Sequence, residues 1–309
     1  MTGMRMEQPQ ADEHVFLIGR PPLGEFLGFV QANAVNGDAV DQRLLADEWR
    51  KANDHIRELE KREAGWADNP KIAPIPGRLE ALKTEVLADP MFQRSYNIVP
   101  ADIGMVELDR LVVFQKQINL DFVRQIRSAL GANPDEEKVF QLCLPLDHPH
   151  PPARVGRIAQ NAYQFSSASN DLRFLEPVLL RAQQVTDYAP QGPIVGIVAL
   201  MVGYGSNYLN AVHVENRLVL NNGSHRAFAL REAGVRQVPC IVQHITRRDE
   251  LEVVIPLLHQ RPELYLTPPR PPVLKDYFDP QLRKLVSVPR RLRHVRITFV
   301  VEQLDLPAT

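Results

Sequence analysis

The sequence has few cysteines, almost no net charge and no long apolar run, and each of these shortages excludes a class of protein. Cys143 and Cys240 are the only cysteines among 309 residues, too few for a disulfide framework or a four-cysteine zinc site. Both lie in apolar runs, which predicts buried thiols. A formal net charge of −1 excludes a uniformly basic nucleic-acid-binding protein. The most apolar run, residues 194–202, falls short of the roughly 18 residues of a membrane span, so no membrane partner is expected.

Residues 1–14 are polar and lack an apolar core, so the sequence predicts no leader peptide and a cytoplasmic location. The contents of 44% apolar and 24% charged residues are those of a folded globular chain. Proline is abundant, with 26 residues, and predicts many fixed turns and extended connections.

The patterning predicts an α/β (α+β) fold in three regions. Residues 1–97 read as a helical N-terminal extension, with an amphipathic helix that Asp38 caps and that ends near residue 62. Residues 98–250 read as the core. Residues 251–309 read as a proline-rich arm with a basic C-terminal strand.

Several elements of the core are predicted from local signals. Asn119 is placed to cap a helix over residues 120–130. The apolar run 139–146 predicts a buried strand, residues 161–170 a loop, and residues 171–187 a helix.

The most regular pattern lies near residues 192–243. It predicts a strand at 194–202, a hairpin turning at Glu215–Asn216, a tight turn at 221–224, a helix ended by Gly234, and a strand at 238–242.

The turn before that helix has the composition of an anion site. The first N–H groups of a helix are unpaired, and the helix dipole is positive there. Gly223 permits close backbone approach, Arg226 offers a guanidinium fork, and Ser224 and His225 offer further donors. These features favour phosphate. The alternative is a plain turn with Asn222 as the cap and Arg226 in a surface ion pair, and these arguments leave both open.

The same residues carry a family resemblance. The run Asn222-Gly223-Ser224-His225-Arg226-Ala227, with Gly234 and Val238-Pro239 behind it, resembles the signature of the ParB/sulfiredoxin-like superfamily. Residues 106–111 resemble the first strand and turn of that family, and residues 193–195 resemble its strand before the hairpin. The resemblance covers about residues 104–132 and 192–243, which makes residues 133–191 an insertion.

Members of this superfamily bind nucleotides at this turn, and some are nucleases. The resemblance therefore implies a nucleoside triphosphate (ATP or CTP) with Mg²⁺, and phosphoryl transfer or hydrolysis. His225 and Arg226 would be catalytic, with Arg226 stabilising charge on the phosphate. The nucleotide would be held by Asn222, Gly223, Ser224, His225, Arg226 and Arg247.

Three departures narrow the choice within the family. Ser224 stands where sulfiredoxin has its reactive cysteine, so sulfinic acid reduction is not expected. Residues 243–247 keep only Arg247 of the Glu-Asn-x-x-Arg motif of partition proteins, and no helix-turn-helix pattern follows. Gln115 lies near the position of the glutamate base of the free-serine kinases, and an amide cannot accept a proton as a carboxylate does.

A basic cluster near the C-terminus is compatible with other functions. Its charge suits DNA, in a DNA-binding protein or nuclease, or an acidic protein partner, while a solvated surface is the plain alternative. A non-catalytic subunit of a complex is a further alternative. The segment Asp147-His148-Pro149-His150 is either a metal-ligand group or an exposed loop, and His213 and His244 are either structural or line a pocket. The cluster comprises Arg283, Lys284, Arg290, Arg291, Arg293 and Arg296.

Overall fold

The computed structural model of the chain describes residues 10–305 and 307, apart from residues 187 and 190. Residues 1–14, from which no leader peptide is predicted, therefore lie mostly outside the described residues. Residue 187, the last of the helix expected at 171–187, also lies outside them.

The chain has a mixed α/β fold. The strands are β1 (Ala11–Leu17), β2 (Ala101–Glu107), β3 (Val112–Val113), β4 (Gln117–Asn119), β5 (Ala153–Ala159), β6 (Ala162–Ser167), β7 (Arg173–Leu180), β8 (Ile197–Gly203), β9 (Asn210–Val214), β10 (Arg217–Asn222), β11 (Gln237–His244), β12 (Arg283–Pro289) and β13 (Arg293–Thr298). The helices are α1 (Leu23–Asn33), α2 (Gln42–Arg62), α3 (Glu80–Ala88), α4 (Pro90–Ser95), α5 (Leu120–Leu130), α6 (Glu136–Cys143), α7 (Ser224–Glu232), α8 (Glu250–Val254), α9 (Pro256–Gln260) and α10 (Pro262–Tyr265).

The chain forms two compact units. The described part of the first comprises residues 10–148 and 206–290, and the second is built from residues 149–205 and the segment that starts at residue 291.

A five-stranded sheet is the centre of the first unit, in the order β2-β11-β9-β10-β3. Strands β9 and β10 form the antiparallel hairpin, β11 runs parallel to β9, and β3 runs parallel to β10. Asn222 pairs with Asn210 at one end of the hairpin, and the Glu215–Asn216 turn closes the other.

Alternation along the strands gives the sheet two apolar faces. Val212 and Val214 of β9 belong to a buried cluster with Leu251 and Leu258 from helices α8 and α9. Ala211, on the other face, belongs to the main cluster, which also contains residues of α5, α6 and α7. Period-two alternation requires this division, so the sheet is covered by helices on both sides.

The N-terminal helices pack on a smaller sheet with the order β12-β1-β4. Phe16 of β1, Phe26 of α1 and Ile56 of α2 share one buried cluster. Helix α2 begins at Gln42 because the Asp41 side chain accepts a hydrogen bond from the Arg43 N–H. The expected helix to residue 62 is confirmed, but the expected cap at Asp38 is wrong, since Asp38 lies in a preceding 3₁₀ turn.

Buried arginines hold the proline-rich segment that follows α10. Prolines donate no backbone hydrogen bond, so the segment cannot form a regular ladder and its carbonyls need other donors. Arg217 donates to the carbonyls of Tyr265 at 2.7 Å and Pro268 at 2.5 Å. Arg270 forms two hydrogen bonds with the Asp276 carboxylate, at 2.6 and 2.5 Å.

The second unit contains a three-stranded sheet, β13-β6-β5, and a separate pair, β7 and β8. Both expectations for residues 161–187 are wrong over the described residues. Residues 162–167 form β6, and residues 173–180 form β7. Pro177 fits a strand because β7 pairs with β8 on one side only, and an edge strand tolerates a missing N–H group.

The buried strand expected at residues 139–146 is also wrong, because residues 139–143 belong to helix α6, which ends there. Asp135 caps the helix by accepting a hydrogen bond from the Lys138 N–H at 2.8 Å. Val139, Phe140 and Cys143 are the buried residues of α6, at helical rather than alternating spacing.

Other local predictions are confirmed. The Asn119 side chain caps α5 at residue 120, and Gly234 ends the α7 segment with φ +84°. Both cysteines are free and buried, and burial raises the pKa of the Cys143 thiol to about 12. Over the part of the chain that the structure describes, no helix has the length and apolar character to cross a bilayer.

Candidate functional site

The candidate site is the turn between β10 and α7. Gly223 has φ +95° and ψ 20°, in the left-handed region that favours glycine. A Cβ atom at this position would lie 3.0–3.2 Å from atoms of Leu209, so a side chain would also be tightly packed here. The Asn222 side chain accepts a hydrogen bond from the Gly223 N–H at 2.8 Å and donates to the Tyr208 carbonyl at 3.1 Å. These contacts fix the turn that starts the helix.

Helix α7 begins without a side-chain cap from the residues that the structure describes. Its first backbone hydrogen bond runs from the Ala227 N–H to the Gly223 carbonyl at 2.8 Å. The N–H groups of Ser224 and His225 precede that bond and have no partner within the helix. They lie at the positive end of the helix dipole, and Ser224 adds a hydroxyl. The arrangement suits an anion.

His225 packs into the protein beside this turn. Its Nε2 atom accepts a hydrogen bond from the Asn119 N–H at 3.0 Å, and its ring meets the edge of Phe122 at 5.3 Å. Burial, followed by the positive charges of His14 and Arg226, lowers the pKa of His225 to about 4. The imidazole is therefore neutral at pH 7, with its proton on Nδ1.

Arg226 also points inward, and its side chain binds main-chain carbonyls. Its Nη1 atom donates to the carbonyls of Leu142 at 3.1 Å, Cys143 at 3.3 Å and Asn207 at 2.5 Å. Only 8% of the residue is exposed. These bonds join the start of α7 to the end of α6 and to the segment before β9. The surface ion pair considered for Arg226 is wrong, and the residue holds the turn from beneath.

Sequence reasoning missed the polar side chains that support the turn. Asn210 accepts a hydrogen bond from the Asn221 side chain at 3.0 Å and donates to the Tyr96 hydroxyl at 3.1 Å. His14 lies close enough to lower the pKa of His225. The spacing along the chain gives no signal for these contacts, because each joins residues far apart in sequence or on neighbouring strands.

Arg247 lies at the other end of the sheet. Strand β11 ends at His244, which pairs with His213 close to the Glu215–Asn216 turn. Arg247 follows and pairs with Asp249, while the neighbouring Arg248 binds Glu215 at 2.5 Å. Helix α7 starts at the opposite end of β10, so the structure does not bring Arg247 to the turn of residues 222–226.

The basic cluster is divided between the two units. Within the first unit, Arg283 donates to the Tyr277 carbonyl, Lys284 pairs with Glu48 at 2.5 Å, and Arg290 pairs with Asp12. These contacts neutralise two of the three cations. In the second unit, Arg291, Arg293 and Arg296 are exposed, and Arg293 donates to the Leu172 carbonyl. DNA or an acidic partner at these residues stays a prediction.

The histidines of the Asp147–His150 segment have separate surroundings. In the first unit, His148 binds the Asp89 carboxylate at 2.8 Å. In the second, His150 stacks on Tyr204 with ring centroids 5.5 Å apart. Among the described residues, no group of three or more histidines, cysteines or carboxylates is placed to hold a metal ion.

We expect acid to destabilise the protein through His225. Unfolding returns its pKa from about 4 to the ordinary 6.5, so between these values the unfolded chain binds more protons than the folded one. The contribution of neutral His225 to the free energy of unfolding is fully present above about pH 6.5 and is lost towards pH 4. The loss from this residue amounts to at most about 3 kcal/mol. Urea unfolding at pH 7, 6, 5 and 4.5 measures this dependence.

The matched variant is His225→Gln, whose amide oxygen can still accept from the Asn119 N–H but does not titrate. Its free energy of unfolding should fall less steeply with acid than that of the wild type. Equal slopes in both proteins would contradict the assignment to His225.

No family model matches the chain, and neither a curated protein nor a solved structure matches it.

Proposed function

We propose that the chain binds the phosphate groups of a nucleotide at the turn of residues 222–226, as the ParB/sulfiredoxin-like proteins that it resembles do. The observation that carries the proposal is the start of α7 directly after Gly223, where the described residues provide no side-chain cap and where φ of +95° and the contact with Leu209 favour glycine. A backbone fixed in this way presents N–H donors that need no further ordering when an anion binds.

The position of the two resembling stretches supports the proposal. The first stretch, residues 104–132, contains most of β2, together with β3, β4 and α5, while the second, residues 192–243, contains β8, β9, β10, α7 and nearly all of β11. In the five-stranded sheet, β2 and β3 of the first stretch are the two edge strands, and β11, β9 and β10 of the second stretch lie between them. Residues 193–195 lie ahead of β8, which pairs with β7, and so outside that sheet. The proposed relationship therefore rests on the sheet and on α7.

In the proposed complex the backbone of the turn binds the phosphate, and Arg226 holds that backbone in place. The N–H groups of Ser224 and His225 donate to phosphate oxygens, and the Ser224 hydroxyl can add a third bond. Arg226 holds the helix start through carbonyls of Leu142 and Asn207 and adds a fixed positive charge beneath the site. A nucleoside triphosphate, ATP or CTP, would bring its Mg²⁺ with it.

The side chains favour binding over phosphoryl transfer. Neutral His225 uses Nε2 to accept from Asn119, so that nitrogen is not available as a proton donor. Gln115 has no ionisable group, and Glu107 is paired with Arg110 at 3.2 Å. The proposal is therefore a nucleotide-binding protein, with transfer or hydrolysis dependent on groups from a partner or substrate.

A charge placed at the first residue of α7 tests the proposal. We expect Ser224→Asp to leave the fold intact, since an acid in the first turn of a helix stabilises it by about 0.3–1 kcal/mol. The same carboxylate should repel phosphate and weaken nucleotide binding at least tenfold, about 1.4 kcal/mol. Ser224→Asn, similar in shape but uncharged, is the control and should bind within a few-fold of wild type.

Calorimetric titration with inorganic phosphate, pyrophosphate, ATP and CTP, with and without Mg²⁺, gives the affinities. Thermal unfolding gives a second reading, because a ligand at 100 times its Kd stabilises the fold by about 2.7 kcal/mol. Absence of binding by every ligand, or equal binding by wild type and Ser224→Asp, would refute a phosphate site at this turn.

A further inference from the structure

Two histidines face each other at the hairpin-turn end of the five-stranded sheet, away from the phosphate turn. His213 of β9 and His244 of β11 pair in register on neighbouring parallel strands, so their side chains lie on the same face. Their Nδ1 atoms are 3.3 Å apart, and the two ring planes are perpendicular. Two nitrogen lone pairs cannot approach this closely unless a proton or a cation lies between them.

A carboxylate orients one of the rings. The Nε2 atom of His244 lies 3.2 Å from Oδ1 of Asp102, which projects from the adjacent strand β2. A hydrogen bond from Nε2–H to this carboxylate leaves the Nδ1 of His244 with its lone pair. His244 is thus held in the tautomer that a metal ligand requires.

The surroundings of the histidine pair leave it accessible to an ion from solvent. Glu215 in the adjacent turn is paired with Arg248 at 2.5 Å. The side chains of His244 and Asp102 are 31% and 64% exposed, so an ion can reach them from solvent.

We propose that His213 and His244 coordinate a divalent transition-metal ion through their Nδ1 atoms, with Asp102 as the outer partner of His244. Nitrogens bound at 2.0–2.1 Å to a tetrahedral ion lie about 3.3–3.4 Å from each other, which matches the observed separation. The order carboxylate, imidazole, metal is the usual second-shell arrangement of histidine ligands.

The chemistry of the pair defines the ion and its remaining ligands. Imidazole nitrogen suits Zn²⁺, Ni²⁺ and Cu²⁺ and disfavours Mg²⁺ and Ca²⁺. The described residues supply no third ligand at this place. The ion therefore keeps positions for water or for an oxygen or nitrogen atom of a bound molecule. The proposed metal site is independent of the phosphate site proposed at residues 222–226, so either site can exist without the other.

Zinc titration of the full chain, without a histidine tag and after removal of metal by a chelator, tests the proposal. We expect one equivalent of Zn²⁺ to bind by calorimetry. His213→Gln and His244→Gln should each weaken binding at least tenfold, and Asp102→Asn about tenfold. His259→Gln changes an exposed histidine of α9 and should have no effect.

A measurement on the wild type removes any dependence on the folding of the variants. Long-range ¹H–¹⁵N spectra of the histidine rings should show Zn²⁺-dependent shifts of Nδ1 in His213 and His244. The proposal is overturned if zinc does not bind, if binding survives both histidine substitutions, or if these two nitrogens do not respond. The two rings would then share an Nδ1–H to Nδ1 hydrogen bond only.

Discussion

Arg226→Met will lower the free energy of unfolding by about 3–5 kcal/mol. The guanidinium is buried and donates to the main-chain carbonyls of Leu142, Cys143 and Asn207, and the Cys143 carbonyl also accepts from the Leu209 N–H. Methionine would leave the carbonyls of Leu142 and Asn207 without this donor, and each unsatisfied buried polar group costs about 1–3 kcal/mol. Urea unfolding followed by circular dichroism measures the loss.

Arg124→Met on α5 is the control, because Arg124 is exposed and pairs with Glu13 and Asp121 at the surface. This variant should unfold at nearly the wild-type urea concentration. If Arg226→Met were as stable as Arg124→Met, the inward orientation of Arg226 would be wrong, and the guanidinium would be available for phosphate after all.

Asp276→Asn will destabilise the protein by a similar amount, about 3–5 kcal/mol, because it leaves the charge of Arg270 buried with only Glu63 beside it. Arg270 is 1% exposed and makes its two shortest bonds to this carboxylate. The asparagine can still accept from the Val273 N–H, which Asp276 binds at 3.0 Å, so the loss reports on the ion pair with Arg270 rather than on this turn. Equilibrium urea unfolding gives the value.

The double variant Arg270→Met/Asp276→Asn distinguishes charge from packing. Removal of both charges should recover part of the loss, so the double variant should be more stable than Asp276→Asn alone. Additive losses would show that shape at this position matters more than the buried ion pair.

The contacts of Arg226 connect stability with the proposed function. The residue that fixes the start of α7 does so from the side opposite to solvent, which leaves the backbone N–H groups to meet a ligand. Loss of Arg226 should therefore weaken phosphate binding through disorder of the turn, whereas Ser224→Asp should weaken it in a stable protein. The two variants separate positioning from direct contact.

Local signals were sufficient for the segment from β9 to β11. The hairpin turn, the glycine before α7, Gly234 after it and the Asn119 cap each depend on a few adjacent residues. Such signals predict where a helix begins and which N–H groups are open. They placed the candidate turn on the correct element.

The direction of Arg226 and His225 was beyond those signals. Arg226 binds the carbonyl of Leu142, 84 positions earlier in the chain, and His225 accepts from Asn119, 106 positions earlier. A guanidinium in a phosphate-like motif and a buried structural arginine have the same local sequence. Their difference lies in non-local packing, which no local pattern records.

Helix α6 and strand β7 show the second limit. A short apolar run fits either element, and the cap at Asp135 and the edge position of Pro177 decide between them. The Asp135 cap is a local signal that the sequence itself contains. The edge position of Pro177 depends on strand pairing and therefore on the fold.

Binding of phosphate by the N–H groups at the start of α7 can be observed directly in an amide spectrum. We would record ¹H–¹⁵N correlation spectra of the labelled protein during titration with ATP and Mg²⁺. We expect the amides of Gly223, Ser224 and His225 to shift most, and Ser224→Asp to suppress these shifts. Unchanged signals for these three residues at saturating nucleotide, or shifts confined to other parts of the chain, would contradict this expectation.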